Sequence, residues 1–332
     1  MTASESLPVT RVAVVGAGQW GLEHARVFAT RPDSTLCAIA GRTPERTRAR
    51  AERFGVPAYT DLGAMLEQEQ PDLVSVCLPN EHHYAPTLQL LRAGVAVLVE
   101  KPLVFKLSEA DELLREADRR GTFFAINFNH RYALPVRMAA ESLRAGRIGE
   151  PVYATWRFGG EPGVSAHPHA NLIETQCHGI DMLEQLCGPI ASVMTEATDL
   201  TGHGFSTVAI ALRFVSGAVG ALFGTYDSSY AYPDAHRLEI GGTSGRLVIE
   251  DTVRRFVLSR PGDEVSDVWE AGYFNDEDRQ FHRMFDRHVD ALLPALRAGE
   301  EPPIHARAGR RALAVAHAAI ESFETGNRVQ VG

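Results

Sequence analysis

Arg11-Val12-Ala13-Val14-Val15-Gly16-Ala17-Gly18-Gln19-Trp20-Gly21 decides the fold. A short run of β-favouring residues enters G-x-G-x-x-G and then a helix-like stretch, the opening of a dinucleotide-binding βαβ unit. Gly16 serves the tight turn, Gly18 the close approach of a pyrophosphate, and Gly21 the packing of helix on strand. Gln19 and Trp20 lie between the glycines and complete the set expected to hold a cofactor there.

Outward from this motif, strand and helix signals alternate. Residues 36–40 lead to a helix opened by Thr43 as N-cap and Pro44 at its first position. Residues 73–78 lead to a helix over about 81–93 ended by Gly94. Residues 95–99 precede a helix over 108–120 ended by Gly121, and 123–127 read as a further strand. This alternation implies a doubly wound parallel sheet, and strands apolar throughout suit a sheet covered on both faces.

After about residue 127 the rhythm changes. Residues 135–145 and 172–186 read as helices. Strand-like runs follow at 206–214, 218–226, 237–240, 246–250 and 256–259, separated by Gly, Ser and Asp turns, which predicts a mostly antiparallel sheet. Two helices, 275–298 and 306–325, close the chain. The expectation is an α/β Rossmann domain over 1–126 and an α+β domain with a large open sheet over 127–332, serving substrate binding and oligomerisation.

Length and composition agree with that division. The chain has 332 residues, 45% hydrophobic and 23% charged, as in ordinary globular proteins of two domains. A net charge of −9 argues against nucleic acid, which needs a basic face. Cys37, Cys77, Cys177 and Cys187 have no paired spacing and read as small buried hydrophobes. No stretch approaches the roughly 18 apolar residues of a membrane span, and residues 1–10 lack a charged leader. A cytoplasmic enzyme is expected.

Three strand ends carry the chemistry. About 20 residues past the glycines, an acidic residue would bond the adenosine ribose and favour NAD(H). Here Gly41-Arg42-Thr43 follows Ala40, with no carboxylate to repel a 2′-phosphate. Arg42 offers a planar fork to phosphate, and Thr43 a hydroxyl and a helix N-terminus. NADP(H) is inferred, with NAD(H) the alternative if Arg42 merely joins the solvated face of Arg46, Arg48 and Arg50. At the next strand end, Leu78-Pro79-Asn80-Glu81-His82-His83 borders the nicotinamide side, and Asn80 is also suited to cap the following helix. At the third, Glu100-Lys101-Pro102 sets Lys101 where ligands bind, as a candidate acid/base. Pro102 is expected to impose an unusual turn, a cis peptide being one form. The other reading is a loop lysine paired with Glu100.

These residues, in order, resemble the Gfo/Idh/MocA oxidoreductases, the family of glucose–fructose oxidoreductase and inositol dehydrogenase. The resemblance covers residues 16–21 with His24-Ala25, Pro79-Asn80 with His83, Ala93-Gly94, Glu100-Lys101-Pro102 and Asn129-x-Arg131-Tyr132. It continues through Gly146-x-Ile148-Gly149-Glu150-Pro151 and His178-x-x-Asp181 to Ala318-x-x-x-Ser322-x-x-x-Gly326. It implies cofactor contacts at His83, Glu100, Lys101, Asn129 and Arg131, and a lysine working with an aspartate and a histidine four residues apart. His178 takes the histidine position, whereas Glu174 stands where the family has aspartate. Lys101, His178 and Glu174 are therefore the expected catalytic groups. Glu174, His178 and Asp181 would share one helix face, and Asp181 has the alternative of orienting Lys101 or His178, or of packing.

Arg157, His167 and His169 complete the expected substrate-binding set with Lys101, Glu174, His178 and Asp181. The loop 159–171 is read as lining the pocket, while an exposed strand arginine is the other reading of Arg157. No metal-ligand spacing occurs and none is expected, since hydride transfer needs no metal. The function expected is NADP(H)-dependent hydride transfer with a sugar, cyclitol or related polyhydroxylated substrate, in a homo-oligomer (dimer or tetramer) joined through the second sheet. Alternatives are a non-catalytic NADP-binding sensor on the same scaffold and a nicotinamide-assisted glycoside hydrolase.

Overall fold

Val12, Ala13 and Val14 are fully buried in β1 (Thr10–Val15), as a strand covered on both faces requires. The computed structural model describes residues 9–162, 165–272, 274 and 280–332. From β1 the chain runs through α1 (Gln19–Thr30), β2 (Ser34–Ala40), α2 (Pro44–Phe54), β3 (Ala58–Tyr59) and α3 (Leu62–Glu69). It continues through β4 (Leu73–Val76), α4 (Tyr84–Ala93), β5 (Ala96–Val99), α5 (Leu107–Arg120) and β6 (Phe124–Ile126). These strands form one six-stranded parallel sheet in the order β3-β2-β1-β4-β5-β6. The order reverses between β1 and β4, so a crevice opens at their carboxyl ends, where ligands of such sheets bind. The doubly wound expectation is met. Thr43 holds the N-cap position of α2 with Pro44 inside it, although its hydroxyl makes no capping bond.

The second part begins with α6 (Leu134–Arg144), β7 (Pro151–Gly159), α7 (Cys177–Cys187) and β8 (Ile190–Thr198). Then come β9 (Thr207–Phe214), β10 (Val219–Thr225), β11 (His236–Gly242), β12 (Arg246–Glu250), β13 (Arg255–Ser259) and β14 (Asp267–Glu270). The chain closes with α8 (Arg283–Ala298), α9 (Arg307–Thr325) and β15 (Val329–Gln330). A nine-stranded sheet has the order β14-β13-β12-β11-β7-β10-β9-β8-β15, antiparallel except for the parallel pair β7–β10. The expected mostly antiparallel sheet is thus present, larger than its five predicted runs. The expected start of the penultimate helix, at 275, lies outside the described residues. The late helix over 306–325 is present as α9.

Two units result: Met1–Asn127 with Val289–Arg310, and Phe128–His288 with Arg311–Gly332. A single boundary after residue 126 does not anticipate the return of 289–310. Its cause is the outer edge of β6: Ile126 N donates to Ile304 O (3.1 Å) and Ala306 N to Phe124 O (2.9 Å). Buried Ile304 and Ala306 thereby cover an edge that would otherwise stand open. Arg297 bonds Asp33, and Arg31 bonds Asp290, fastening the returning segment further.

In the second unit, Trp156 on β7 is 1% exposed and donates from Nε1 to Gln176 Oε1 at 3.1 Å, just before α7. Gly179 faces that indole, and a Cβ there would come within 2.3 Å of its nitrogen. Gly179→Ala is therefore expected to cost about 1–3 kcal/mol through overpacking, read as a drop in Tm of about 2–4 °C per kcal/mol. An unchanged Tm would show that α7 does not depend on this close approach.

Candidate functional site

In the first unit the glycine turn has two kinds of glycine. Gly16 has φ +142°, and a Cβ on it would lie 2.3 Å from Cys77 O; one on Gly21 would lie 1.9 Å from Gly16 O. Both are required by the chain's own packing. Gly18 differs, because a Cβ there meets nothing within 4 Å. It is also the N-cap of α1 and supplies no side-chain cap, so the first amides of that helix are left for an outside acceptor. The open space beside Gly18 and the uncapped helix fit a dinucleotide pyrophosphate. Gln19 and Trp20 are exposed beside it.

At the end of β2, Gly41, Arg42 and Thr43 border a cavity of about 490 Å³ that Val15, Leu78 and His82 also line. Arg42 Nη1 donates to His82 Nε2 at 3.2 Å. Asn80 does not cap α4: a 3₁₀ turn, Asn80–His82, intervenes after Pro79, and His83 holds the N-cap position. His83, expected among the cofactor contacts, is fully buried, its Nδ1 2.8 Å from Pro102 O and its Nε2 2.9 Å from Leu78 O. It ties the turn after β4 to the turn after β5. Burial holds its pKa below the usual value, although both carbonyls favour the charged form.

Lys101 stands on a buried polar network that sequence reasoning did not assemble. Glu100 is 7% exposed; its Oε1 accepts from Asn127 Nδ2 (2.6 Å) and lies 2.9 Å from His24 Nε2, while its Oε2 accepts from Lys101 N (3.1 Å). His24 Nδ1 lies 2.7 Å from Ser75 Oγ, and both residues are fully buried. Burial raises the pKa of Glu100, but the His24 bond, the charges of His24 and Lys101 and the Asn127 bond outweigh it, so the net direction is downward. The half-buried Lys101 is followed by a cis peptide to Pro102, one of the forms open to the unusual turn expected there. His24 sits on the face of α1 that also buries Gly21, Ala25 and Phe28, and a polar residue in that stripe was the available signal.

In the second unit the predicted continuous helix over 172–186 is interrupted. Asn171–Thr175 forms a π-turn, closed by Gln176 N on Asn171 O at 2.9 Å, before α7 begins. Such turns concentrate at functional sites. Gln176 Nε2 donates to Asn171 Oδ1 (3.0 Å), so this side chain joins the π-turn to Trp156 on the sheet. Glu174 is buried in the turn and His178 in the first turn of α7. The Glu174 carboxylate contributes to raising the phenol of Tyr226, which burial raises most and whose hydroxyl lies 2.7 Å from Thr175 Oγ1.

His178 stacks on His130, ring centroids 3.9 Å apart at 7°, with Phe128 edge-on at 5.9 Å. Phe281 and His236 meet His130 at 5.5 and 6.0 Å. His130 and His236 were not among the expected site residues; buried histidines carry no local spacing signature. Arg131 and Asp181, expected to bind cofactor and substrate, bond each other in a bidentate pair at 2.8 and 2.5 Å. Asn129, two residues before Arg131, is buried. Arg157 alternates with the inward Trp156, so it lies on the opposite sheet face and pairs with Asp234 at 2.7 Å, the exposed-strand reading. His169 stacks on Phe205 at 4.8 Å, and its amide donates to His167 Nδ1 at 3.1 Å. Burial, then the charge of His167, lowers the His169 pKa. Gly163, within the predicted pocket loop, lies outside the described residues.

None of the four cysteines forms a disulfide and all are buried, and burial raises Cys37 to about 11 and Cys187 to about 12, as inert core thiols require. Among the described residues no cluster of ligating side chains is arranged for a metal, and no helix is long and apolar enough to cross a membrane.

Comparison with known proteins places this geometry. Residues 10–128 match the oxidoreductase family, NAD-binding Rossmann fold, and residues 140–331 its C-terminal alpha/beta domain. The chain belongs to the Gfo/Idh/MocA oxidoreductase family. This Gfo/Idh/MocA chain is 25% identical to myo-inositol 2-dehydrogenase of Thermotoga maritima over 97% of its own length and 98% of that protein. It is 38% identical to D-glucoside 3-dehydrogenase of Escherichia coli over 156 residues, 46% of this chain and 44% of the relative. A levoglucosan dehydrogenase solved with NADH has the same fold, with a TM-score of 0.88 at 19% identity, covering 97% of this chain and 99% of that one. The family member described here is an NAD(P)-dependent oxidoreductase of the dehydrogenase class, acting on CH–OH groups.

The Glu100 network has a pH signature. Because its folded-state pKa is lowered, its contribution is complete above the unfolded carboxylate value, about 4.3, and is lost as pH falls through the folded value. Glu100→Gln is expected to destabilise by about 1–3 kcal/mol near neutrality. Its Tm should approach that of the unaltered protein progressively as pH falls below the ordinary carboxylate value of about 4.3. A difference in Tm that stays constant from neutral to acid pH would refute ionisation as the source.

Proposed function

We propose that this chain is an NADP(H)-dependent enzyme that passes a hydride between nicotinamide and a carbinol or ketone carbon of a sugar, cyclitol or related polyhydroxylated compound. The observation that carries the reading is the buried network under Lys101. A carboxylate held by Asn127 and the Lys101 amide, with His24 against it, is a costly foundation for an ordinary surface loop. Support for the substrate class comes from relatives named as inositol and glucoside dehydrogenases. Support for NADP(H) is Arg42 on the cavity wall, with no carboxylate at the end of β2.

The bound nicotinamide supplies the hydride acceptor or donor. The chain's own residues supply the rest. Gly16, Gly18 and Gly21, with the amides of α1, hold the pyrophosphate. Lys101 and His178 move the hydroxyl proton, and Glu174, one methylene longer than the family aspartate, holds or polarises a neighbouring group. His167 and His169 are proposed substrate contacts. In this reading Arg131 and Asp181 act as a pair that fixes α7, and His83 acts through the turns it joins.

The same reading makes the protein a cytoplasmic homo-oligomer. Tyr153, Val219 and Phe223 are exposed large side chains on one sheet face, with Ala209, Ala211 and Ala221 on neighbouring positions. These side chains form an apolar stripe, on a face that also carries Thr155, Arg157 and Arg213, and such a stripe suits a second copy. Phe223→Asp is expected to shift the protein to monomer by light scattering, and an unchanged mass overturns the interface.

One set of titrations tests cofactor and chemistry together. NADP⁺ and NAD⁺ binding is followed by tryptophan fluorescence, and turnover on a polyol and keto-sugar panel by NADPH absorbance. Arg42→Ala is expected to weaken NADP⁺ about tenfold or more while hardly changing NAD⁺. Lys101→Ala is expected to lower turnover by about 10²–10⁴-fold with NADP⁺ binding retained. Unchanged NADP⁺ affinity in the first variant overturns the NADP(H) assignment, and full turnover in the second removes the mechanism.

A further inference from the structure

His82 lies on the turn after β4 and Arg42 on the turn after β2, both exposed, and they meet across the mouth of the cavity at 3.2 Å. A guanidinium is always cationic and only donates. The imidazole Nε2 is therefore the acceptor in this contact. A protonated ring would set two cations against each other. A phosphomonoester between the two reverses that preference, because both groups then donate into its oxygens.

We infer that His82 is a second ligand for the cofactor's 2′-phosphate, and that it binds that group by taking up a proton. The inference rests on the NADP(H) reading above and deepens it. The titratable and charged groups around the same cavity are Arg42, Asp61, Glu81, Tyr84 and Glu109. Most are already engaged: Asp61 Oδ1 accepts from Ala64 N at 2.7 Å, Glu109 pairs with Lys106 at 3.2 Å, and the Tyr84 hydroxyl donates to Glu112. Glu81 adjoins His82 in the chain and lines the same cavity. Thr43, whose hydroxyl leaves α2 uncapped, is next to Arg42 in the chain. The site thus combines a permanent cation with one that forms only when an anion arrives.

The consequence is a cofactor preference that depends on pH. An imidazole is the side chain suited to change charge between pH 5 and 8, so the His82 contribution to NADP⁺ affinity fades as pH rises. The 2′-phosphate titrates in the same range, with a second pKa of about 6 for a phosphomonoester. Comparing the protein with His82→Gln at each pH cancels that contribution.

Calorimetric titration of NADP⁺ and of NAD⁺ into both proteins, at about pH 6 and about pH 8.5, reads the effect without turnover. The unaltered protein should bind NADP⁺ about tenfold more tightly than His82→Gln at the lower pH, the ratio falling toward one at the higher. NAD⁺ should bind both proteins alike at both values. Repeating the lower-pH titration in buffers of different ionisation enthalpy should reveal proton uptake with NADP⁺ that His82→Gln lacks. Equal NADP⁺ ratios at the two pH values overturn the inference, as does parallel loss of NAD⁺ and NADP⁺, which would mark His82 as an adenine contact. A strong NADP⁺ preference retained intact in His82→Gln overturns the inference alone. Tighter NAD⁺ than NADP⁺ binding by the unaltered protein overturns the NADP(H) reading itself.

Discussion

A buried negative charge at the end of β5 is the constraint around which the first unit is arranged. Glu100 can stay ionised away from water only if donors surround it. They come from three separated stretches: Asn127 just beyond β6, His24 on α1, and the Lys101 amide beside it. Ser75 on β4 in turn fixes the second nitrogen of His24. The network thereby joins α1, β4, β5 and the end of β6 around one carboxylate, and the lysine that follows it inherits a defined backbone position. His83 repeats the device one strand over, its ring set between the carbonyls of Leu78 and Pro102. Neither histidine needs to touch a ligand to matter for one.

The second unit uses a different device, aromatic contact. Gln176 spans from the π-turn to Trp156, and the parallel His130–His178 stack sets the plane of the imidazole on α7. The Arg131–Asp181 pair ties the segment before α6 to the same helix. Removing Arg131 would strand the buried Asp181 carboxylate, a loss of about 3–5 kcal/mol.

Much of this was legible from residue order. The glycine turn, the parallel alternation, the strand-end positions of Arg42 and Lys101 and the antiparallel second sheet follow from periodicity and turn chemistry acting over a few residues. What stayed hidden depends on distant partners. Nothing near Asp181 announces that Arg131 occupies it, and nothing near Arg157 says which face of β7 it takes, since a strand's inward face is set by its neighbours. The π-turn was equally hidden, because a spacing of four between Glu174 and His178 reads the same in a continuous helix. The short β3, β14 and β15 exist by pairing with longer strands, and their own two to four residues carry little pattern.

The returning segment that borders β6 has a bearing on biosynthesis. Emerging from the ribosome, the parallel sheet is complete in its strands by Ile126, yet the residues that shield its last edge come nearly two hundred positions later. Until Ile304 and Ala306 are made, the nascent sheet presents unpaired backbone groups beside an apolar strand. A fragment cut at Asn127 would keep that raw margin permanently, making it prone to self-association.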